Sequence, residues 1–118
     1  MLKSRDETVV EHILRYCKQT QTAHQDFGYS KDRFLQSTTY QNAVCMCILQ
    51  IGELIGKLSE EFRSDHPDIP WHKIRGMRNF VAHEYGKLDQ EIVWFTATKS
   101  IPELEEFCSC WLMAQKKP

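Results

Sequence analysis

Apolar residues recur every three or four positions along most of the chain, which is the spacing of one face of an α-helix. The first such stretch follows Ser4, which forms a capping-box pattern with Glu7, and it ends before Gly28. The longest stretch runs from Val44 to Phe62 and predicts one helix of about five turns. No segment alternates apolar and polar residues with a period of two, so the pattern predicts helices and no strands.

Two glycines, Gly52 and Gly56, lie one turn apart within the longest predicted helix. Because glycine carries no side chain, this spacing would let a neighbouring helix approach closely. Before that helix, Ser30 is predicted to cap a short helical turn.

The second half of the chain is divided by residues that begin and end helices. The stretch from Ser64 to Pro70 contains two prolines and predicts a connector, and residues 71–83 predict a helix. Asp89 is expected to cap a short helix, and Ser100 to begin the final one in a capping box with Glu103. The apolar side of helix 71–83 is predicted to consist of Ile74, Met77, Phe80 and Val81. These patterns predict an all-α fold, an up-and-down four-helix bundle with a short additional helix, in a single domain over residues 1–118.

The charge is balanced overall but unevenly distributed. The 118 residues include 15 Lys and Arg against 16 Asp and Glu, so the net charge of −1 excludes a polycation. Residues 71–87 nevertheless hold four Lys or Arg and one Glu, whereas residues 89–106 hold five acids and one Lys. Any binding of nucleic acid must therefore use a local basic patch on helix 71–83.

Targeting signals and disulfides are not predicted. The first residues lack the apolar run of a signal peptide, and no stretch reaches the roughly 18 apolar residues of a membrane span. The five cysteines are expected to be reduced, mostly buried thiols of a cytoplasmic protein that does not bind a membrane. Cys45 and Cys47, like Cys108 and Cys110, are two residues apart, about 200° on a helix, which favours core packing over a zinc site.

Polar side chains follow one another along the outer face of helix 71–83. Arg75, Asn79 and His83 are spaced by four residues, so Asn79 can hydrogen-bond the His83 ring and fix its tautomer. Arg78 and His83 are five residues apart, about 140° around an ideal helix, and do not converge automatically. A long side-chain reach, an unwound last turn or a second copy of the helix would bring them together. The offset therefore indicates a site shared between two chains.

These residue types suit the cleavage of a phosphodiester without a metal or other cofactor. A histidine can take the proton of a ribose 2′-hydroxyl or give one to the leaving oxygen, and an arginine can bind the phosphate. The residues alone leave a structural interpretation open: a solvated helix face, a histidine at a helix end, and Tyr85 as a packing aromatic.

The stretch from Arg78 to Tyr85 resembles the Arg-x-x-x-x-His-x-Tyr signature of the HepT-type toxins in the HEPN superfamily. The flanks are also similar: Pro70-Trp71 and Gly76-Met77 before the arginine, and Ile92-Val93-Trp94 and Ile101-Pro102 after the signature. The resemblance covers essentially the whole chain. It implies an HEPN-like, all-α homodimer that cleaves RNA without a metal, as the toxin of a type VII-like toxin–antitoxin pair.

The resemblance also implies roles for single residues. Arg78 and His83 become the catalytic pair, supported by Asn79 and Arg75. Tyr85 becomes the acceptor of AMP, transferred by a minimal nucleotidyltransferase that serves as the antitoxin. The alternative is a non-catalytic subunit that presents a nucleotide or substrate to a nucleotidyltransferase. A metal-binding bundle is disfavoured because the spacing of metal ligands is missing from the sequence.

Overall fold

The computed structural model describes the backbone of residues 4–84 and 89–116, and their side chains except those of His83 and Glu84. Within these residues the chain is helical and contains no strand, which confirms the all-α prediction. The helices are α1 (Arg5–Asp26), α2 (Lys31–Gln36), α3 (Thr38–Ile55), α4 (Glu60–Asp65), α5 (Trp71–Glu84), α6 (Gln90–Phe95) and α7 (Ile101–Gln115); a π-helical segment (Thr96–Ser100) joins α6 to α7. No described helix is long and apolar enough to cross a bilayer.

Hydroxyl and carboxylate side chains begin most of these helices. The hydroxyls of Ser4 and Ser30 accept hydrogen bonds from the backbone N–H three residues later, which satisfies donors that a helix start leaves free. Asp89 accepts one from the N–H of Glu91 at 2.9 Å. All three predicted caps are confirmed. The predicted start of α5 at Trp71 is confirmed as well.

The single long helix predicted from Val44 to Phe62 is wrong, because the chain leaves the helix after Ile55 and α4 begins at Glu60. Ser59 caps α4, and the carboxylate of Asp6 on α1 accepts hydrogen bonds from its N–H at 2.9 Å and its hydroxyl at 2.7 Å. Leu58 and Phe62 remain buried across this break. The apolar spacing therefore continues across residues 56–59, although the helix does not.

Two further boundaries differ from the sequence prediction. The connector predicted from Ser64 begins only after Asp65, because α4 includes both residues. The predicted capping box of Ser100 and Glu103 is wrong: Ser100 has helical dihedral angles (φ −69°, ψ −41°) and makes no side-chain cap bond. The chain is already helical when it reaches α7, since the π segment carries it there from α6.

Helix α1 packs against α3 and α7, and α3 packs against α5 on its other side. Gly56, directly after α3, faces Arg75 of α5, and Gly52 of α3 faces Arg78, so these two helices run antiparallel. The close approach of a neighbouring helix, predicted from the glycine spacing, is confirmed at Gly52, whereas only the guanidinium end of Arg75 lies near Gly56. The buried core includes Ile74, Met77 and Val81 of α5 together with residues from all the long helices.

Phe80 is the exception to the predicted apolar side of α5, because it is 57% exposed. On a helix it lies about 60° from Met77 and about 100° from Val81, at one edge of the apolar face. Helix α3 covers the opposite edge, where the aliphatic part of Arg78 packs on Gly52. The aliphatic part of an arginine therefore packs against α3 at one edge of the apolar face, while the phenylalanine at the other edge is exposed.

A cluster of aromatic rings, which we call the aromatic end, connects α1, α2, α3 and α6. It is formed by His24, Phe27, Tyr29, Phe34, Tyr40 and Trp94. His24 is completely buried, and its Nδ1 is hydrogen-bonded to the hydroxyl of Tyr40. Burial lowers the pKa of His24, against a smaller opposing effect of the Ala97 backbone in the π segment. Burial likewise raises the pKa of Tyr40 to about 12.

The cysteines are free thiols, and Cys17, Cys45, Cys47 and Cys108 are buried while Cys110 is exposed. Burial raises the pKa of Cys45 to about 11 and that of Cys108 to about 12. Core packing of the thiols, favoured over a zinc site from their spacing, is confirmed for the four buried ones.

Candidate functional site

Helices α3 and α5 enclose a surface cavity of about 490 Å³ along their antiparallel contact. We call it the α3–α5 groove. It is lined by Gly52, Glu53, Gly56 and Lys57 from α3 and the turn after it, and by His72, Arg75, Gly76, Arg78 and Asn79 from α5. Because both backbones are close-packed helices, these side chains are held on a rigid frame.

Arg78 lies where the two helices are closest. A Cβ atom at Gly52 would be 2.1 Å from the Cβ of Arg78 and 2.7 Å from its Cγ, so only glycine fits there. The Arg78 guanidinium forms an ion pair with Glu53, and its Nη1 donates to the Asn79 side-chain oxygen at 2.9 Å. The Arg78 side chain is 29% exposed, so the guanidinium is oriented by two partners while remaining open to the groove.

Arg75 lies one turn before Arg78, and the guanidinium end of its side chain reaches Gly56. A Cβ atom at Gly56 would be 3.1 Å from its Nη2 and 3.3 Å from its Cζ. Within the described part of the chain, no carboxylate forms an ion pair with Arg75. The guanidinium of Arg75 therefore lies against Gly56, and no described carboxylate neutralises its charge.

The groove carries the local positive charge that the sequence predicted for this helix. Lys57, Arg75 and Arg78 line it against the carboxylate of Glu53, although the whole chain has a net charge of −1. Sequence reasoning missed Glu53, Lys57 and His72. Glu53 and Lys57 directly follow the two glycines, and this adjacency was the available signal for them.

The remaining predicted site residues are placed only in part. His83 belongs to the last turn of α5, but its side chain is not among those described, and Tyr85 lies outside the described residues. The Asn79–His83 hydrogen bond stays a prediction, since the observed partner of Asn79 is Arg78. The helical backbone keeps the angle of about 140° between Arg78 and His83. Arg75 and Asn79 are exposed, as predicted, and both line the groove beside α3.

This arrangement can bind and orient a phosphate. A planar guanidinium offers paired N–H donors, and a phosphate that enters the groove would meet Arg75 and Arg78 one turn apart on α5. Glu53 competes with that phosphate for Arg78. The groove can therefore accept an anion, although Glu53 partly neutralises its charge in the free chain.

The model of the family described as HepT-like ribonucleases matches residues 8–110. A protein of Caldanaerobacter subterraneus subsp. tengcongensis whose name proposes an RNase is 36% identical over 82% of this chain and 85% of its own length. A second such protein, from Methanocaldococcus jannaschii, is 32% identical over 80% of this chain and 79% of its own.

A third relative, from Thermococcus cleftensis, bears a name that proposes a ribonuclease HepT. It is 33% identical over 61% of this chain and 66% of its own length. No solved structure gives a significant match. The family match spans most of the chain, including both walls of the α3–α5 groove, so the chain belongs to the HepT-like ribonuclease family.

Proposed function

We propose that this chain is a metal-independent RNA endonuclease and the toxin of a type VII-like toxin–antitoxin pair, acting in the cytoplasm as a homodimer of single-domain, up-and-down helical protomers. The observation that carries the proposal is the position of Arg78. It packs on Gly52, opens into a cationic groove, and shares its helix with His83. Membership in a ribonuclease family supports RNA as the substrate.

The reaction needs one imidazole and one guanidinium at the scissile phosphate. His83 removes the proton of the ribose 2′-hydroxyl, whose oxygen attacks phosphorus, or protonates the leaving 5′-oxygen. Arg78 stabilises the negative charge that grows on the phosphoryl oxygens. The bond from phosphorus to the 5′-oxygen breaks, which leaves a 2′,3′-cyclic phosphate and a 5′-hydroxyl.

A homodimer supplies the geometry that one helix lacks. Arg78 and His83 occupy positions about 140° apart around α5, so we expect Arg78 of one protomer to meet His83 of its partner when two copies of the helix face each other. The dimer then carries two such composite sites, each with one Arg78 and one His83. The exposed side chains of Phe80 on α5 and Met46 on α3 supply apolar surface for such a contact.

Cleavage in EDTA by purified wild type, Arg78→Ala and His83→Ala tests this function. We expect rates reduced by roughly a hundredfold to a thousandfold for Arg78→Ala, and by at least as much for His83→Ala, because each variant loses transition-state charge or proton transfer. Equal residual nicking in all three preparations would mean contamination and would exclude the endonuclease.

Regulation by AMP transfer is part of the same proposal. A minimal nucleotidyltransferase would transfer AMP from ATP to the hydroxyl of Tyr85, which forms a phosphodiester at the α-phosphorus and releases pyrophosphate. Two residues from His83, that anion would block the substrate sterically and by like charge. Intact-mass spectra after co-expression should gain AMP units in the wild type and not in Tyr85→Phe. Unchanged spectra in the wild type would contradict the transfer.

One observation favours a second candidate, the non-catalytic subunit that presents a nucleotide to a nucleotidyltransferase. The ion pair with Glu53 already neutralises Arg78 in the free chain, as a purely structural arginine would be. The two candidates differ in the EDTA experiment, since a presenting subunit binds RNA or nucleotide without cleaving it.

A further inference from the structure

A second cavity of about 450 Å³ continues the α3–α5 groove past the start of α5. We call it the α4–α5 pocket, because α4 and the connector that leads to α5 form its walls. His72 and Arg75 line both cavities, so the two are neighbours along one surface. Its volume falls within the range of about 300–1,000 Å³ that is usual for small-ligand pockets.

One wall of the α4–α5 pocket is apolar and rigid. It is formed by Pro67, Ile69 and Pro70 of the connector and by Trp71, which is 8% exposed. The Trp71 indole N–H donates to the backbone carbonyl of His66 at 3.0 Å, which fixes the ring. Such a wall suits the flat face of a nucleobase, which binds by apolar contact and stacking.

The other wall of the pocket is cationic. The Nε of Arg63 is buried and has no hydrogen-bond partner among the described residues, and Arg63 forms no ion pair with any described carboxylate. Arg75 likewise forms no ion pair with any described carboxylate, and the end of its side chain lies near Gly56. Glu60 also lines the pocket, so two arginines face one carboxylate there. Arg63 and Arg75 therefore give this wall positive charge that no described carboxylate pairs with, and a phosphate in the pocket would compensate it.

We propose that the α4–α5 pocket is a nucleotide subsite of the RNA groove. It takes the base of a nucleotide one step beyond the two that flank the scissile linkage against the connector wall, with the adjoining phosphate held between Arg63 and Arg75. The subsite rests on the proposed function, since RNA is the ligand that would run continuously from Arg78 through Arg75 to Arg63. It adds substrate affinity and base preference, and it does not take part in bond cleavage.

Two variants test the subsite. Arg63→Gln removes the positive charge and keeps most of the aliphatic part of the side chain. Ser64→Tyr places an aromatic ring at a lining position and leaves every cationic residue unchanged. Arg15→Gln is the matched control, since Arg15 is an exposed arginine of α1 that lines neither cavity. Each is measured for kcat and KM on a single-stranded hexanucleotide and a dinucleotide, and for binding of a non-cleavable 2′-deoxy hexanucleotide over a salt series.

We expect Arg63→Gln to raise KM for the hexanucleotide about tenfold without lowering kcat, and to weaken binding of the 2′-deoxy analogue similarly. The slope of log affinity against log salt should fall by about one phosphate contact. Ser64→Tyr should raise the same KM. The KM increases should vanish with the dinucleotide, which is too short to reach the pocket, and Arg15→Gln should match the wild type.

Unchanged KM and binding in both pocket variants, beside normal Arg78-dependent cleavage, would overturn the subsite and leave the proposed function standing. A lower kcat at constant KM would also overturn it. If the wild type cleaves no RNA, the proposed function fails, and the binding series alone decides whether nucleic acid occupies the pocket. Loss of binding to a partner protein, with RNA binding intact, would assign the pocket to that protein instead.

Discussion

The aromatic end and the α3–α5 groove use polar groups of similar kinds in opposite ways. At the aromatic end, His24 is completely buried, hydrogen-bonded to Tyr40 and surrounded by rings. In the groove, Arg75 and Arg78 rest on glycines with their guanidinium groups open to solvent, and Arg75 has no described carboxylate as a partner. The difference teaches that enclosure and available charge, rather than residue type, separate a structural polar group from one that can bind substrate.

The sharpest way to break this contrast is to displace Arg78 without changing it. Gly52→Ala places a methyl group 2.1 Å from the Arg78 Cβ, so α5 must move away from α3. We expect the free energy of unfolding to fall by about 1–3 kcal/mol, as for an overpacked core, and RNA cleavage to fall about a hundredfold. Chemical denaturation and the EDTA cleavage assay measure the two effects.

Gly76→Ala is the matched control for that substitution. Nothing lies within 4 Å of a Cβ atom at Gly76, so alanine should raise the free energy of unfolding by about 0.5–1 kcal/mol through helix propensity alone. Equal stability changes in Gly52→Ala and Gly76→Ala would show that the helix contact at Arg78 is looser than described.

Acid should distinguish the two regions through His24. Burial lowers the pKa of His24 below the ordinary 6.5, so the unfolded chain binds a proton at a higher pH than the folded chain does. The stabilisation is complete above pH 6.5 and is lost as the pH falls below it, with a slope of at most about 1.4 kcal/mol per pH unit. His24→Phe should flatten this slope, and His72→Gln, in the exposed groove, should not. A slope that persists in His24→Phe would assign the acid sensitivity elsewhere.

Glu53→Gln tests whether the Glu53 carboxylate partly neutralises the positive charge of the groove. Removing the carboxylate leaves Arg78 free for phosphate, so RNA should bind a few times more tightly at low salt. The cost in stability should stay below about 1 kcal/mol, because both side chains of the pair are partly exposed. Glu103→Gln, which breaks the exposed pair with Lys99, is the control and should leave RNA affinity unchanged. Weaker RNA binding in Glu53→Gln would show that Glu53 positions Arg78 rather than competing for it.

The smallest expected effect concerns the thiols, which follow the same rule of enclosure. In the native protein iodoacetamide should modify Cys110 and spare the four buried cysteines, whose burial also raises the pKa of their thiols. Peptide mapping by mass spectrometry checks this pattern. Rapid modification of Cys17 or Cys108 would mean that the contact between α1 and α7 opens in solution.

Much of the fold was predictable because helices announce themselves locally. Ser4, Ser30 and Asp89 cap helices at the positions that the sequence predicts. Gly52 likewise indicated where α3 contacts α5. The break before Ser59 was not predictable, since it depends on Asp6, 53 residues away. The exposure of Phe80 and the pairing of Arg78 with Glu53 likewise depend on where α3 lies, and a single helical pattern does not contain that information.

The central claim is that Arg78 of one protomer and His83 of its partner act on one phosphodiester. Co-expressed, differently tagged chains can be purified as heterodimers of Arg78→Ala with His83→Ala. The account predicts about half of the wild-type cleavage rate in EDTA, because one composite site keeps both groups. A heterodimer no more active than either mutant homodimer would contradict a site shared across the interface.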